Sequence, residues 1–140
     1  MNKHKKEWLI ETKDYLNNGQ VVQIEYDREG DVLDILFAKG AGCGIELTDE
    51  IVLRYDPTNN RPLSLIFVSF SHLIQPTEYG PESFRLTGVE RLPPERRDIV
   101  MRILTSAPIN RYLRISALSL PPEKGFVPIT YVQQPLAMAV

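Results

Sequence analysis

All eleven prolines of this 140-residue chain lie after Asp56, from Pro57 to Pro135. Proline lacks the N–H that a helix interior or a paired strand needs, so its placement limits where long regular elements can run. The first 56 residues escape that limit. The remainder must be assembled from loops, short elements and edge strands.

Hydrophobic periodicity fills in the first part. Val22, Ile24 and Tyr26 alternate with Gln23 and Glu25, the pattern of a half-buried strand. Arg28-Glu29-Gly30-Asp31 makes a turn, and Leu33, Ile35 and Phe37 form the partner strand. After the glycine link Gly40-Ala41-Gly42-Cys43-Gly44, Ile45 and Leu47 lead into Ile51, Leu53 and Tyr55 as a second hairpin. Leu63 to Phe70 is apolar on both faces, which predicts a central strand. Upstream, Trp8, Leu9, Thr12, Tyr15 and Leu16 fall on one face of a 3.6-residue period and predict a helix over residues 3–18, with Gly19 as its left-handed cap.

The second part reads differently. Residues 75–94 are irregular, with a short strand at Phe84-Arg85-Leu86. Pro94 suits the first turn of a helix over 94–106, where Ile99, Val100, Ile103 and Leu104 share a side. A hairpin follows over 109–132 around the loop Pro121 to Gly125, and Pro128 assigns its second strand to an edge. The predicted layout is α+β: an N-terminal helix (1–20), an antiparallel β-meander of two hairpins (21–74), and a Pro/Arg-rich extension (75–140), packed as one domain.

Residues 24–74 resemble the bacterial family described as domain of unknown function 2283. The likeness rests on Tyr26-Asp27 leading into Gly30-Asp31-Val32-Leu33-Asp34-Ile35, then Glu46-Leu47, then Ile51-Val52-Leu53-Arg54-Tyr55-Asp56. Asp34 stands at the family's usual aromatic position, and Leu63-Ser64-Leu65-Ile66 replaces its closing Gly-Ile-Glu-Ile. The resemblance implies a compact antiparallel meander without established catalysis. Because some members are encoded beside toxin-like genes, it also implies an antitoxin or regulatory role.

Charge is unevenly placed. Between Glu25 and Asp56, nine acidic residues stand against three basic ones, a balance of −6. Between Arg85 and Arg114, seven arginines stand against three acids, a balance of +4. Arginine suits bidentate contact with carboxylates or phosphates. The arginine-rich half is therefore expected to dock on the acidic sheet, or on that of a second subunit. Arg96, Arg97, Arg102, Arg111 and Arg114, with Leu136 and Met138 of the apolar C-terminal tail, are the expected partner-binding residues.

The remaining candidates are weaker. The acidic group Glu25, Asp27, Glu29, Asp31 and Asp34 misses the calcium-loop spacing and reads as a solvated hairpin tip. The glycine link precedes a strand rather than a helix, so it lacks the aligned N–H groups of a phosphate loop. Ser69, Ser71 and His72 form a possible polar site at a strand exit. One cysteine and two histidines predict no metal centre, and no cofactor or catalytic residue is expected. No apolar run has signal-peptide or membrane-span length, and the single Cys43 fits a cytoplasmic, reducing placement. The expected function is a non-catalytic, self-associating protein–protein interaction module. Two alternatives are a nucleic-acid-binding or antitoxin-like regulator built on the arginines, and a small enzyme using Cys43 or His72.

Overall fold

The structure, a computed structural model, describes residues 7–119 and 125–138. Six strands form the main sheet: β1 (Leu9–Tyr15), β2 (Val21–Asp27), β3 (Val32–Leu36), β4 (Cys43–Thr48), β5 (Ile51–Asp56) and β6 (Arg61–Val68). Their spatial order is β1-β2-β3-β6-β5-β4, antiparallel throughout. A helical turn α1 (Phe70–Leu73) and a small ribbon of β7 (Pro76–Thr77) and β8 (Gly80–Pro81) follow. Next come β9 (Ser83–Arg85), the turn α2 (Thr87–Glu90), helix α3 (Pro94–Leu104), β10 (Leu113–Ser119) and β11 (Phe126–Val132). These last strands build a second sheet in the order β10-β11-β9. Among the described residues no helix is long and apolar enough to cross a membrane.

The α+β class with antiparallel sheet holds, but three expectations are corrected. There is no N-terminal helix where one was expected: β1 occupies residues 9–15, while residues 3–6 lie outside the described residues. Ile10, Thr12 and Asp14 point inward along β1, and Glu11, Lys13 and Tyr15 point out. Two of the inward residues are polar and one of the outward residues is aromatic, so the period of two does not register as hydrophobicity. Second, the hairpins do not form a meander. β6 inserts between β3 and β5, so strands β3 to β6 form a Greek key. β6, apolar on both faces in the sequence, takes an inner place with β3 as its second neighbour. The glycine link makes the crossing possible, because a side chain at Gly42 would collide with the Tyr55 carbonyl and Leu63.

Third, β11 is the central strand of its sheet despite Pro128. Pro128 faces the end of the short strand β9, where its carbonyl accepts the Leu86 N–H at 3.0 Å. The missing proline donor therefore removes one bond at a strand end rather than a gap in mid-ladder.

One continuous core joins the two halves. The inner face of the main sheet (Ile24, Leu33, Ile35, Leu53, Leu65 and Phe67 among others) packs with Leu86 and Val89 of α2 and Val100 and Leu104 of α3, together with Ile109, Tyr112 and Leu113. Tyr112 is buried within it, and its hydroxyl donates to Asp14 Oδ2 at 2.7 Å across 98 residues of sequence. The other face of the main sheet is left outward.

Candidate interaction surfaces

The expected polar site at the strand exit resolves into a tie between two turns. Asp31, at φ 55, accepts the Phe70 N–H on its carbonyl at 3.0 Å. Its carboxylate accepts the Tyr26 hydroxyl at 2.7 Å, the Ser71 hydroxyl at 2.6 Å and the Ser71 N–H at 3.0 Å. A carboxylate from the β2–β3 turn thus caps α1, supplying the acceptor that its N-terminal N–H groups lack. Ser69 at φ 55 turns the chain into this cap, and His72 is exposed beside it.

These bonds move both pKa values. The hydrogen bond to Asp31, with burial and the carboxylate charge behind it, pushes the Tyr26 phenol up to about 12. Partial burial pushes Asp31 up, but hydrogen bonds from Ser71 and Tyr26 outweigh it and hold the carboxyl below its ordinary value. The raised phenol stabilises the fold fully below its unfolded pKa of about 10, and that contribution is lost as pH rises toward the folded value. The lowered carboxyl contributes above its unfolded pKa of about 4 and is lost as pH falls. In melts across pH, Tyr26→Phe should therefore lie below wild type near neutrality, the gap closing above about pH 10. A gap that stays constant from neutral to strongly alkaline pH contradicts this.

Cys43 and His72 do not form a dyad. Cys43 pairs with Tyr55, close to the Pro62 end of β6, while His72 lies beyond the Val68 end. Six residues of strand separate those ends by about 20 Å.

The expected partner-binding arginines divide into two groups. Arg96 donates to the Tyr55 hydroxyl at 3.1 Å, and Arg97 donates to the Glu90 and Leu92 carbonyls at 3.2 and 3.1 Å, closing the end of α2. Arg85 adds a bidentate pair with Glu90, both bonds 2.7 Å. Arg85 and Arg97 hold the C-terminal half together, and Arg96 ties it to β5 of the main sheet. The guanidinium groups of Arg102, Arg111 and Arg114 make no hydrogen bond or ion pair among the described residues. Arg102 borders a shallow groove with Pro62 and Ile99, and Arg111 is half-buried beside Tyr112. Arg114 stands opposite Tyr131 in a groove of about 430 Å³ that also holds Tyr79 and Gln133. In the tail, Leu136 is 74% exposed, whereas Met138 packs against the core and its turn lies on β1.

The sheet edges are treated unequally. β4 is closed by α2, with Gly88 seated against the Glu46 carbonyl. β1 carries Glu11 and Lys13 and is flanked by the turn Leu136–Met138. β9 is three residues long and carries Arg85. β10 differs: Ser116, Ala117, Leu118 and Ser119 are exposed in succession, and Ile115 to Ser119 contain neither charge nor proline. Tyr112 and Gln133 share a ladder bond of 2.9 Å, so by alternation Ile115, Ala117 and Ser119 direct their backbone N–H and C=O groups away from β11. No described residue bonds to them.

Family models, curated proteins and solved structures yield no match to this chain. The functional reading therefore rests on these surfaces alone.

Proposed function

We propose that this protein is a non-catalytic interaction module that associates with a second copy of itself through the outer edge of β10. The observation that carries the reading is the edge from Ile115 to Ser119, to which no described residue bonds, while the other described edges are short, charged or covered. Unpaired strand edges template pairing with another chain, and natural proteins blunt them unless they are used. Antiparallel pairing about Ala117 is isologous, so it closes at two copies and joins two three-stranded sheets into one. It also keeps the two Arg114 side chains about 20 Å apart along the strands. Exposed Leu118 and Phe126 add apolar area beside the join.

Ala117→Pro tests the idea. Ala117 points its N–H outward, so proline there removes an edge donor while leaving the β10–β11 ladder bonds in place. Light scattering after size-exclusion chromatography should give a dimer mass for wild type and a monomer mass for Ala117→Pro and Ala117→Lys, with melting temperatures close to wild type. A monomeric wild type at the highest concentration reached, or a dimer that survives both substitutions, removes the reading.

A further inference from the structure

The ribbon of β7 and β8 has two residues and one proline in each strand, too little to bury side chains of its own. Its turn is nevertheless held firmly. Gly80 supplies a φ of 110, and the Thr77 hydroxyl accepts the Tyr79 N–H at 3.2 Å and donates to the Gly80 carbonyl at 2.7 Å. Tyr79, fixed on this turn, is 93% exposed, and its ring packs on no other aromatic ring among the described residues. A large aromatic side chain held out in this way gains nothing for the fold.

Tyr79 and Pro81 line the groove of about 430 Å³ together with Arg114, Ser116, Tyr131 and Gln133. That size lies in the range of small-molecule sites. Arg114 and Ser116 share a face of β10 by alternation, and Tyr131 stands directly opposite Arg114. The Arg114 guanidinium is uncommitted among the described residues. Glu78 and Glu82, which flank Tyr79 and Pro81 in the chain, neither line the groove nor pair with that arginine. An unpaired guanidinium, an unpacked aromatic ring and polar side chains therefore meet in one hollow.

We propose that this groove binds a nucleoside monophosphate, with the phosphate on Arg114, the base on the ring of Tyr79, and Ser116 and Gln133 as hydrogen-bonding groups for the sugar. Charge complementarity selects an anion, and the planar guanidinium fork matches phosphate oxygens. An acidic peptide would use the arginine and leave the tyrosine ring without a role, whereas a planar base uses both. A nucleic-acid strand needs a run of cations to track its backbone. Arg114 is the only cation among the described lining residues, which selects a single phosphate.

The test titrates adenosine 5′-monophosphate into the full chain by isothermal calorimetry, with adenosine and inorganic phosphate as separate arms. Arg114→Gln should weaken binding by about tenfold or more, the loss of one charge-assisted bond. Tyr79→Ala should weaken it by about fivefold or more, the loss of one stacked base. Both side chains are exposed, so melts should show both variants folded. Arg61→Gln removes the same charge outside the groove and should leave binding within about twofold. Ala117→Pro should bind like wild type, which separates the groove from self-association. No binding by wild type at about 5 mM nucleotide would overturn the proposal. So would equal losses in Arg114→Gln and Arg61→Gln, or adenosine or phosphate alone binding as well as the nucleotide.

Discussion

Gly88→Ala should lower stability by about 3 kcal/mol or more, close to the upper end of what overpacking costs, and melting by roughly 10 °C. A β-carbon at this position would overlap the Glu46 carbonyl oxygen and crowd the Leu47 carbonyl. Both obstacles are backbone atoms of β4, so no side-chain rotation relieves them. α2 would have to lift, taking Val89, which is fully buried, out of the core and uncovering the edge of β4. Gly44→Ala is the matched control on the same strand, since its added carbon meets only Val52 Cγ1 at 4.0 Å. It should stay within about 0.5 kcal/mol of wild type. Paired thermal melts decide the matter: a Gly88→Ala protein that melts with Gly44→Ala would show that α2 is not seated on β4 in solution.

Where the inward residues of a strand are apolar, as in β2, β3 and β5, alternation in the sequence locates the strand. β1 escapes this reading because its inward residues include Thr12 and Asp14, and the partner of Asp14, Tyr112, lies 98 residues away. Strand order is equally non-local. Hairpin turns announce that β2 meets β3 and that β4 meets β5, but only the two-sided apolar character of β6 hints that it needs an inner place.

The candidate surfaces divide along the same line. Charge segregation between the halves is plain in the sequence, and so is the sign of each patch. Which arginines are consumed internally depends on carbonyls and hydroxyls brought close by folding, so Arg97 and Arg102 look alike until α2 is placed. The pairing of Glu25 with Asp34 follows from the hairpin, whereas Glu11 comes opposite Glu25 only once β1 is a strand. The acidic group is thus not one hairpin tip. Asp31 caps α1, Glu29 is solvated, and Glu25 with Asp34 faces outward from the sheet.

Tyr112→Phe should cost about 2 kcal/mol, the usual range for a hydrogen bond to a charged group, and roughly 6 °C in melting temperature. The substitution keeps the ring and its contact with Phe37, at 5.9 Å between centroids, and removes only the hydroxyl that donates to buried Asp14. The consequence is larger than one bond because this hydrogen bond, beside the turn Leu136–Met138, ties β1 to the C-terminal half, so β1 should become the first segment to exchange its amide hydrogens. The sign of the pH effect follows from the same geometry. Burial, then the hydrogen bond and charge of Asp14, raise the phenol pKa of Tyr112 above its ordinary value. The folded state therefore holds this proton more tightly than the unfolded chain does. Its stabilisation is complete below about pH 10 and declines as pH rises beyond that. Phenylalanine has no proton to lose, so the variant should be less stable than wild type at neutral pH and should lose less on alkaline titration. Hydrogen exchange that leaves β1 as protected as in wild type, together with parallel alkaline melts for the two proteins, would show that the Asp14–Tyr112 bond does not hold the halves together.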